Sequence, residues 1–448
     1  MENSFPVMSI LPSSLIFFSL CPRYKYWIRI VWMPSVSTEA HLHIGEAVKS
    51  VLRGECVATV EFLKVLSAAA SRREGGRPLE EVSGDTVVIG PCRGHAADLA
   101  HCLDTHVLSR AIQGKLNLVF LGNYVDGGHH SVEVLYMLAL CMLDLPSVTP
   151  LVGRHEMFYP FPPGDFGSLR AELRLRSIHC DVPLDSIEET VRRFFSTLPV
   201  ACIINKRFFC SSSGIASTYR FTEEISRERS RLRLNEFVQN QPMNEEEDKL
   251  YAGCAFVGSH TATGNCLRYT HNALCNFLLR NDLFTHIAGI EFHASSERSE
   301  NFMSFDRYRE SRYLPGWMFG RIRKGLRVPS YIFLFSAPHF CDVNKNSGCI
   351  LTIVGNRTVE LQQLDMYVSR PLIMPGEASH GFAWSQGILL KTLRKFFYSV
   401  LYDKVDVNAN ECGESHLVTN AKLPSEEEVM KLKYRRMCEL VKKHLLQK

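Results

Sequence analysis

The chain has 448 residues, of which 46% are hydrophobic and 22% charged, a balance that excludes global disorder and permits a sizeable buried core. Its formal charge of +4 is small for this length, so composition gives no case for nucleic-acid binding. Fifteen cysteines include no CxxC pair, and the nearer spacings (Cys202 and Cys210, Cys266 and Cys275, Cys341 and Cys349) match no zinc pattern, so they read as reduced, mostly buried thiols of an intracellular, cytoplasmic protein.

Residues 1 to 40 read as an N-terminal extension. Phe5 to Cys21 is mostly apolar, but Pro6 and Pro12 interrupt it, Glu2 and no Lys or Arg precedes it, and no small-residue cleavage site follows. The expectation is therefore no signal and no membrane span, with Met33 as an alternative start. From His41 to about Arg73, apolar residues recur at helical spacing (Ile44, Val48, Val51, Leu52, then Val60, Phe62, Leu63, Leu66) and predict two helices. The Gly/Arg/Glu-rich stretch SRREGGRPLEEVSGD reads as a link to a short strand, Thr86 to Ile89.

The turn GPCRGHAADL then opens a helix to about Val107. The run LNLVFLG is a buried strand that breaks at Gly122 into a turn carrying Asn123 and Asp126. A helix from Val132 to Leu143 and a strand from Val148 to Val152, ending in GRHE, repeat the pattern of strand, polar turn and helix, which predicts a layered α/β fold. In such sheets the carboxyl ends of the strands collect ligands, because helices cover the faces.

After a Pro/Gly loop and a helical stretch, LPVACIINKRFFCSSSG reads as a hairpin, and the charge-rich 218–250 as exposed helix or mobile insert. A helix over Tyr269 to Leu283, the segment His286 to Phe292, a charged insert near 293–328, and the strands YIFLFSAP and GCILTIV follow. Beyond about Ser385, two amphipathic helices form a C-terminal extension over 386–448; the second opens with a capping box, Ser425 and Glu428.

Four turns taken together, GPCRG, GNYVDGG, GRHE and SAPHFC, resemble those of the PPP-type serine/threonine protein phosphatases, within the calcineurin-like metallophosphoesterase superfamily. FFSTLPVACIINKRFFCSSSGI and LLRNDLFTHIAGIEF resemble the stretches that lead into that family's His-Gly-Gly-Leu and Arg-Ala-His motifs. The resemblance covers about residues 41 to 365, and the phosphatase-like domain is expected over 41–385. It implies a four-layer α-β-β-α fold, a central β-sandwich flanked by helices, with two divalent metals such as Mn, Fe or Zn at the sheet edge. Such a pair activates a bridging water for attack on phosphorus.

Position by position, this sequence departs from that chemistry. Pro91 and Arg93 stand where the family has Asp and His ligands, Asn123 replaces the bridging Asp, and Arg154 replaces the ligand Asn. Ser212 and Ile290 replace two His ligands. All six ligand positions have changed and two hold cations, so no metal is expected. The phosphate-gripping arginines are replaced by Gly127 and Ala288, and Phe340 takes the place of a Tyr.

Asp126 and His155 match the acid pair that protonates the leaving group, and here they read as a structural brace, as does Glu156. Arg93 and Arg154 either fill the vacated cavity, pairing with Asp126 or Glu156, or form a metal-free anion pocket. His95, His129, His130, His286 and His339 lie near the turns without a carboxylate at ligand spacing, and Cys92 lacks the loop of a nucleophilic thiol. The sequence thus predicts a phosphatase-like protein that is catalytically inactive and acts as a binding or scaffold subunit. Its expected partners are proteins or regulatory subunits, with a phosphoprotein as a possible ligand and no nucleic acid. The alternative is a divergent, metal-dependent serine/threonine phosphoprotein phosphatase.

Overall fold

The computed structural model describes residues 42–104, 106–160, 168–180, 182–243, 245–261, 264–289, 317–319, 329–340, 346–355 and 358–364. The N-terminal extension, Ile290, the C-terminal helices and all but 317–319 of the insert near 293–328 lie outside the described residues.

The two leading helices are Leu42–Leu52 and Thr59–Arg73. Phe62, Val65, Leu66, Ala69 and Ala70 are buried along one stripe of the second, at the three-and-four spacing that an amphipathic helix requires. The stretch read as a link contains a strand, β1 Leu79–Val82, followed by β2 Thr86–Ile89, β3 Asn117–Phe120 and β4 Val148–Pro150. The helix opened by the GPCRG turn is described over Ala96–Asp104 and His106–Ile112, and the next helix is Ser131–Asp144.

The hairpin is present as β5 Ala201–Ile204 and β6 Phe208–Ser211, turning on Asn205 and Lys206, both at positive φ. Residues 218–250 fold into short helices and β7 Gln241–Pro242. This strand joins β8 Phe256–Thr261 and β9 Gly264–Tyr269 in a three-stranded sheet that polar sequence had hidden. The remaining strands are β10 Thr285–Gly289, β11 Trp317–Phe319, β12 Tyr331–Leu334, β13 Gly348–Val354 and β14 Thr358–Leu364.

Two larger sheets run in the orders β1-β5-β6-β10-β12-β11 and β14-β13-β2-β3-β4. Residues alternate between their faces, as the two-residue period of a strand demands. Val88, Val119, Leu351 and Ile353 of one sheet pack with Cys202, Ile204, Phe208, Cys210, Ile287 and Leu334 of the other, in an apolar core between them. Their sequence neighbours Val87, Ile89, Leu118, Phe120, Ile203 and Phe209 face outward into the helical cluster. The expected sandwich flanked by helices is therefore the observed architecture. Within it, β2, β3 and β4 are parallel, and so are β6, β10 and β12. Each parallel set delivers the turns after its strands to one edge.

Candidate functional site at the sandwich edge

The two edges are tied together by main-chain and serine bonds. The Gly90 N–H after β2 donates to Ser336 Oγ (2.8 Å), the Ser336 hydroxyl donates to Cys349 O (2.7 Å), and the Ser336 N–H donates to Pro91 O (3.1 Å). The Gly289 N–H, at the end of β10, donates to Ser212 O at 3.1 Å. Turns from both sheets thus meet, as the ordered motifs in the sequence anticipate.

Asn123 is the hub of this meeting. It is fully buried with φ of +54°, a left-handed conformation that asparagine tolerates better than most residues. Its carbonyl accepts the Arg93 N–H (3.0 Å), and its Oδ1 accepts the N–H groups of Arg154 (2.8 Å) and His155 (3.4 Å). Its Nδ2 donates to Ser212 Oγ at 3.4 Å. One side-chain amide therefore bridges the turns that carry Arg154 and Ser212, while its own carbonyl holds the turn of Arg93.

Glu156 completes the brace. Its carboxylate accepts N–H groups from Asn123 (2.9 Å), Tyr124 (2.8 Å), Val125 (3.3 Å) and Gly153 (2.8 Å). Burial pushes its pKa up to about 7 against the pull of those donors. Gly153 is required here by close approach: a Cβ would stand 2.1 Å from Asn123 N and 2.5 Å from a Glu156 oxygen.

The Asp126 and His155 pair is intact, with Oδ2 and Nδ1 at 2.8 Å. The other carboxylate oxygen, Oδ1, accepts the Leu169 N–H (2.8 Å) at the start of the helix Leu169–Cys180. Arg93 is buried, and its Nε donates to the Asp126 main-chain carbonyl at 2.7 Å rather than to the carboxylate. Its guanidinium lies 5.7 Å from the centre of the Phe340 ring. Arg154 is buried in the short helix Arg154–Met157.

Two of the histidines near the turns, His95 and His286, have local roles. His95 Nδ1 sits 3.0 Å from Cys92 O and 2.9 Å from Arg93 O, which fixes it as a donor, and its ring packs on Phe340. His286 is fully buried against Phe209 and Phe333, with Nε2 2.7 Å from Ser211 Oγ, and burial drives its pKa down to about 3. Cys92 is buried, and desolvation raises its thiol far above the ordinary value.

Sequence reasoning missed Ser336 and Asn346. The latter shapes the last turn by accepting the Phe340 N–H (2.9 Å) and donating to Ala337 O (2.9 Å). Small polar side chains that bond main chain across long sequence distances leave no local pattern. Among the described residues, no group of three or more His, Cys, Asp or Glu is placed to hold a metal ion.

Residues 82–289 match the family model for calcineurin-like phosphoesterases. The chain is 24% identical over 330 residues to the serine/threonine-protein phosphatase 2B catalytic subunit A1 of Saccharomyces cerevisiae, covering 71% of this chain and 52% of that protein. It is 22% identical over 269 residues to a probable serine/threonine-protein phosphatase of Encephalitozoon cuniculi, covering 54% of each. The chain thus spans about half the length of these curated relatives. Among solved structures, its fold matches a protein serine/threonine phosphatase from Saccharomyces cerevisiae with similarity to human phosphatase PP5. That match has a TM-score of 0.54 and 17% identity, over 74% of this chain and 98% of that one.

Proposed function

For a chain that carries the calcineurin-like phosphoesterase fold and is related to the PPP-type serine/threonine phosphatases, we propose a catalytically inactive role, as a binding or scaffold subunit that recognises protein partners. The observation that carries this reading is the use of Asn123. Where the family would bridge two metals, both ends of a neutral amide are spent on Arg154, His155 and Ser212.

The donor set does not fit the metal pair. Pro91 has no ligating side-chain atom, and the Arg93 and Arg154 side chains are fixed cations. Unit charges at 4 Å interact by roughly 4 kcal/mol at an effective dielectric of 20, so a guanidinium beside a divalent ion costs more than that. Without a metal to make the nucleophile, Asp126 and His155 serve to brace the helix Leu169–Cys180 against the site. Among the described residues no helix is long and apolar enough to cross a membrane, and the free described cysteines support a reducing, cytoplasmic setting.

The test is elemental analysis of the purified protein for Mn, Fe and Zn, together with turnover of p-nitrophenyl phosphate. No stoichiometric metal and no metal-dependent turnover are expected; two metals with turnover would establish a divergent active phosphatase instead. A second reading, a metal-free reader of phosphorylated protein, draws support from the anchoring of Arg93 and Arg154 on the same residue, Asn123. It requires a phosphoserine peptide to bind the wild type better than an Arg93→Ala, Arg154→Ala double variant.

A further inference from the structure

Outside the candidate site, unspent positive charge collects on one surface. The segment from Thr218 to Arg233 carries five arginines, and two of these have internal tasks. Arg231 caps the carboxyl end of the helix Leu184–Thr197, donating to the carbonyls of Phe195 (3.0 Å), Ser196 and Leu198 (3.1 Å), and Arg233 lies 3.8 Å from Glu228. The side chains of Arg220, Arg227 and Arg229 are exposed and make no hydrogen bond or ion pair among the described residues.

Asn281 extends this surface. It accepts the Thr222 N–H (2.9 Å) and donates to Arg220 O (3.0 Å), drawing in the exposed end of the helix His271–Arg280 and, with it, the equally unengaged Arg280. Beside these charges three large apolar side chains face solvent, Phe221 at 45%, Leu232 at 79% and Leu279 at 66% exposure, and Asn281 ties the backbone next to Phe221 to the helix end that carries Leu279.

An open cavity of about 390 Å³ lies on the same segment, lined by Thr218, Tyr219, Glu224, Arg227, Glu228 and Arg229. Its two acids are already used. Glu224 accepts the Arg220 and Phe221 N–H groups, and Glu228 accepts the Tyr219 hydroxyl and the Arg229 and Ser230 N–H groups. The acids therefore hold the loop in shape while the arginines remain available.

The geometry points to a docking surface for an acidic segment of a partner protein, in which spaced carboxylates engage Arg220, Arg227, Arg229 and Arg280 and one bulky apolar residue covers Phe221 and Leu279. Guanidinium forks take carboxylates in bidentate fashion, and an exposed apolar pair among charges is a typical anchor for a peptide side chain. Glu223, Glu224 and Glu228 are interleaved with the arginines, which opposes a continuous phosphate chain or an anionic membrane and suits separated carboxylates. This surface shares no residue with the turns around Asn123, so it stands or falls separately from the reading of the candidate site.

The test uses the full chain and fluorescence anisotropy with a labelled peptide of alternating glutamate and alanine and one central leucine. Saturable binding that weakens with salt is expected. An Arg227→Glu, Arg229→Glu double variant should weaken it by roughly tenfold or more, and Leu279→Ser should weaken it to a smaller extent. These side chains are exposed, so the thermal melt of each variant should match the parent. Binding that is unchanged in the charge-swapped variant overturns the proposal. Tighter binding of phosphatidylserine vesicles or of a single-stranded RNA through the same arginines also overturns it.

Discussion

Phe340 and Gly127 fit together as ring and gap: a Cβ built on Gly127 would stand 3.0 Å from the ring's Cζ, and Gly127 holds φ of +125°. The family resemblance expects an arginine at this position. Gly127→Arg must enter a backbone region that L residues avoid and must also displace an aromatic ring, so a loss of about 1–3 kcal/mol is expected. Urea unfolding measures it, and no phosphatase turnover should accompany the change. A variant as stable as the parent would refute the packing argument.

Asp126 acts through its carboxylate on two elements, His155 and the first N–H of the helix Leu169–Cys180. Asp126→Ala removes both bonds and should cost about 1–3 kcal/mol, whereas Asp126→Asn retains an acceptor and tolerates the φ of +64°, and should cost less. Equal losses in the two variants, read from thermal melts, would assign the effect to the carboxylate charge beside His155 instead.

His286 makes stability depend on acid. Its folded pKa falls from 6.5 to about 3, with burial as the cause. Between those values the unfolded chain takes up a proton that the folded chain refuses. The contribution is thus complete above about 6.5 and is lost as pH falls, by up to about 1.4 kcal/mol per pH unit. His286→Phe, set among Phe209 and Phe333, should flatten this slope in unfolding experiments between pH 4 and pH 6.5. An unaltered slope would place the acid sensitivity elsewhere.

Arg176 is buried between two helices and a loop. It donates to Glu133 Oε1 and to Val57 O (2.6 Å) and lies 3.9 Å from Glu172. Glu172 in turn accepts the Ser131 and Val132 N–H groups that open the helix Ser131–Asp144. Arg176→Ala strands a buried carboxylate and should cost about 3–5 kcal/mol in urea unfolding. A companion Glu133→Gln change should recover part of that loss. Were it to recover nothing, the arginine would be acting through packing alone.

How much of this was legible depended on the range of the forces. β2, β3, β4, β5, β6, β12 and β13 are apolar enough to declare themselves, and the order of their turns places Arg93, Asn123, Arg154 and Ser212 at one edge from sequence alone. β1 did not, because Leu79 and Val82 bracket two glutamates and the strand exists through its main-chain bonds to β5, more than a hundred residues away in sequence. The three-stranded sheet was hidden for a similar reason: Gln241, Pro242 and Arg268 are not strand-like residues, and pairing holds them. At the site, identities were readable and connections were not. Nothing local says that Arg93 would bond the Asp126 carbonyl while the carboxylate served His155 and Leu169.

The brace around Asn123 also makes the position selective for an amide. An aspartate returned there alone would lose the donor to Ser212 and set a second carboxylate beside buried Glu156, which already accepts the Asn123 N–H. The loops at this edge are therefore matched to an amide, and Asn123→Asp alone is expected to loosen them.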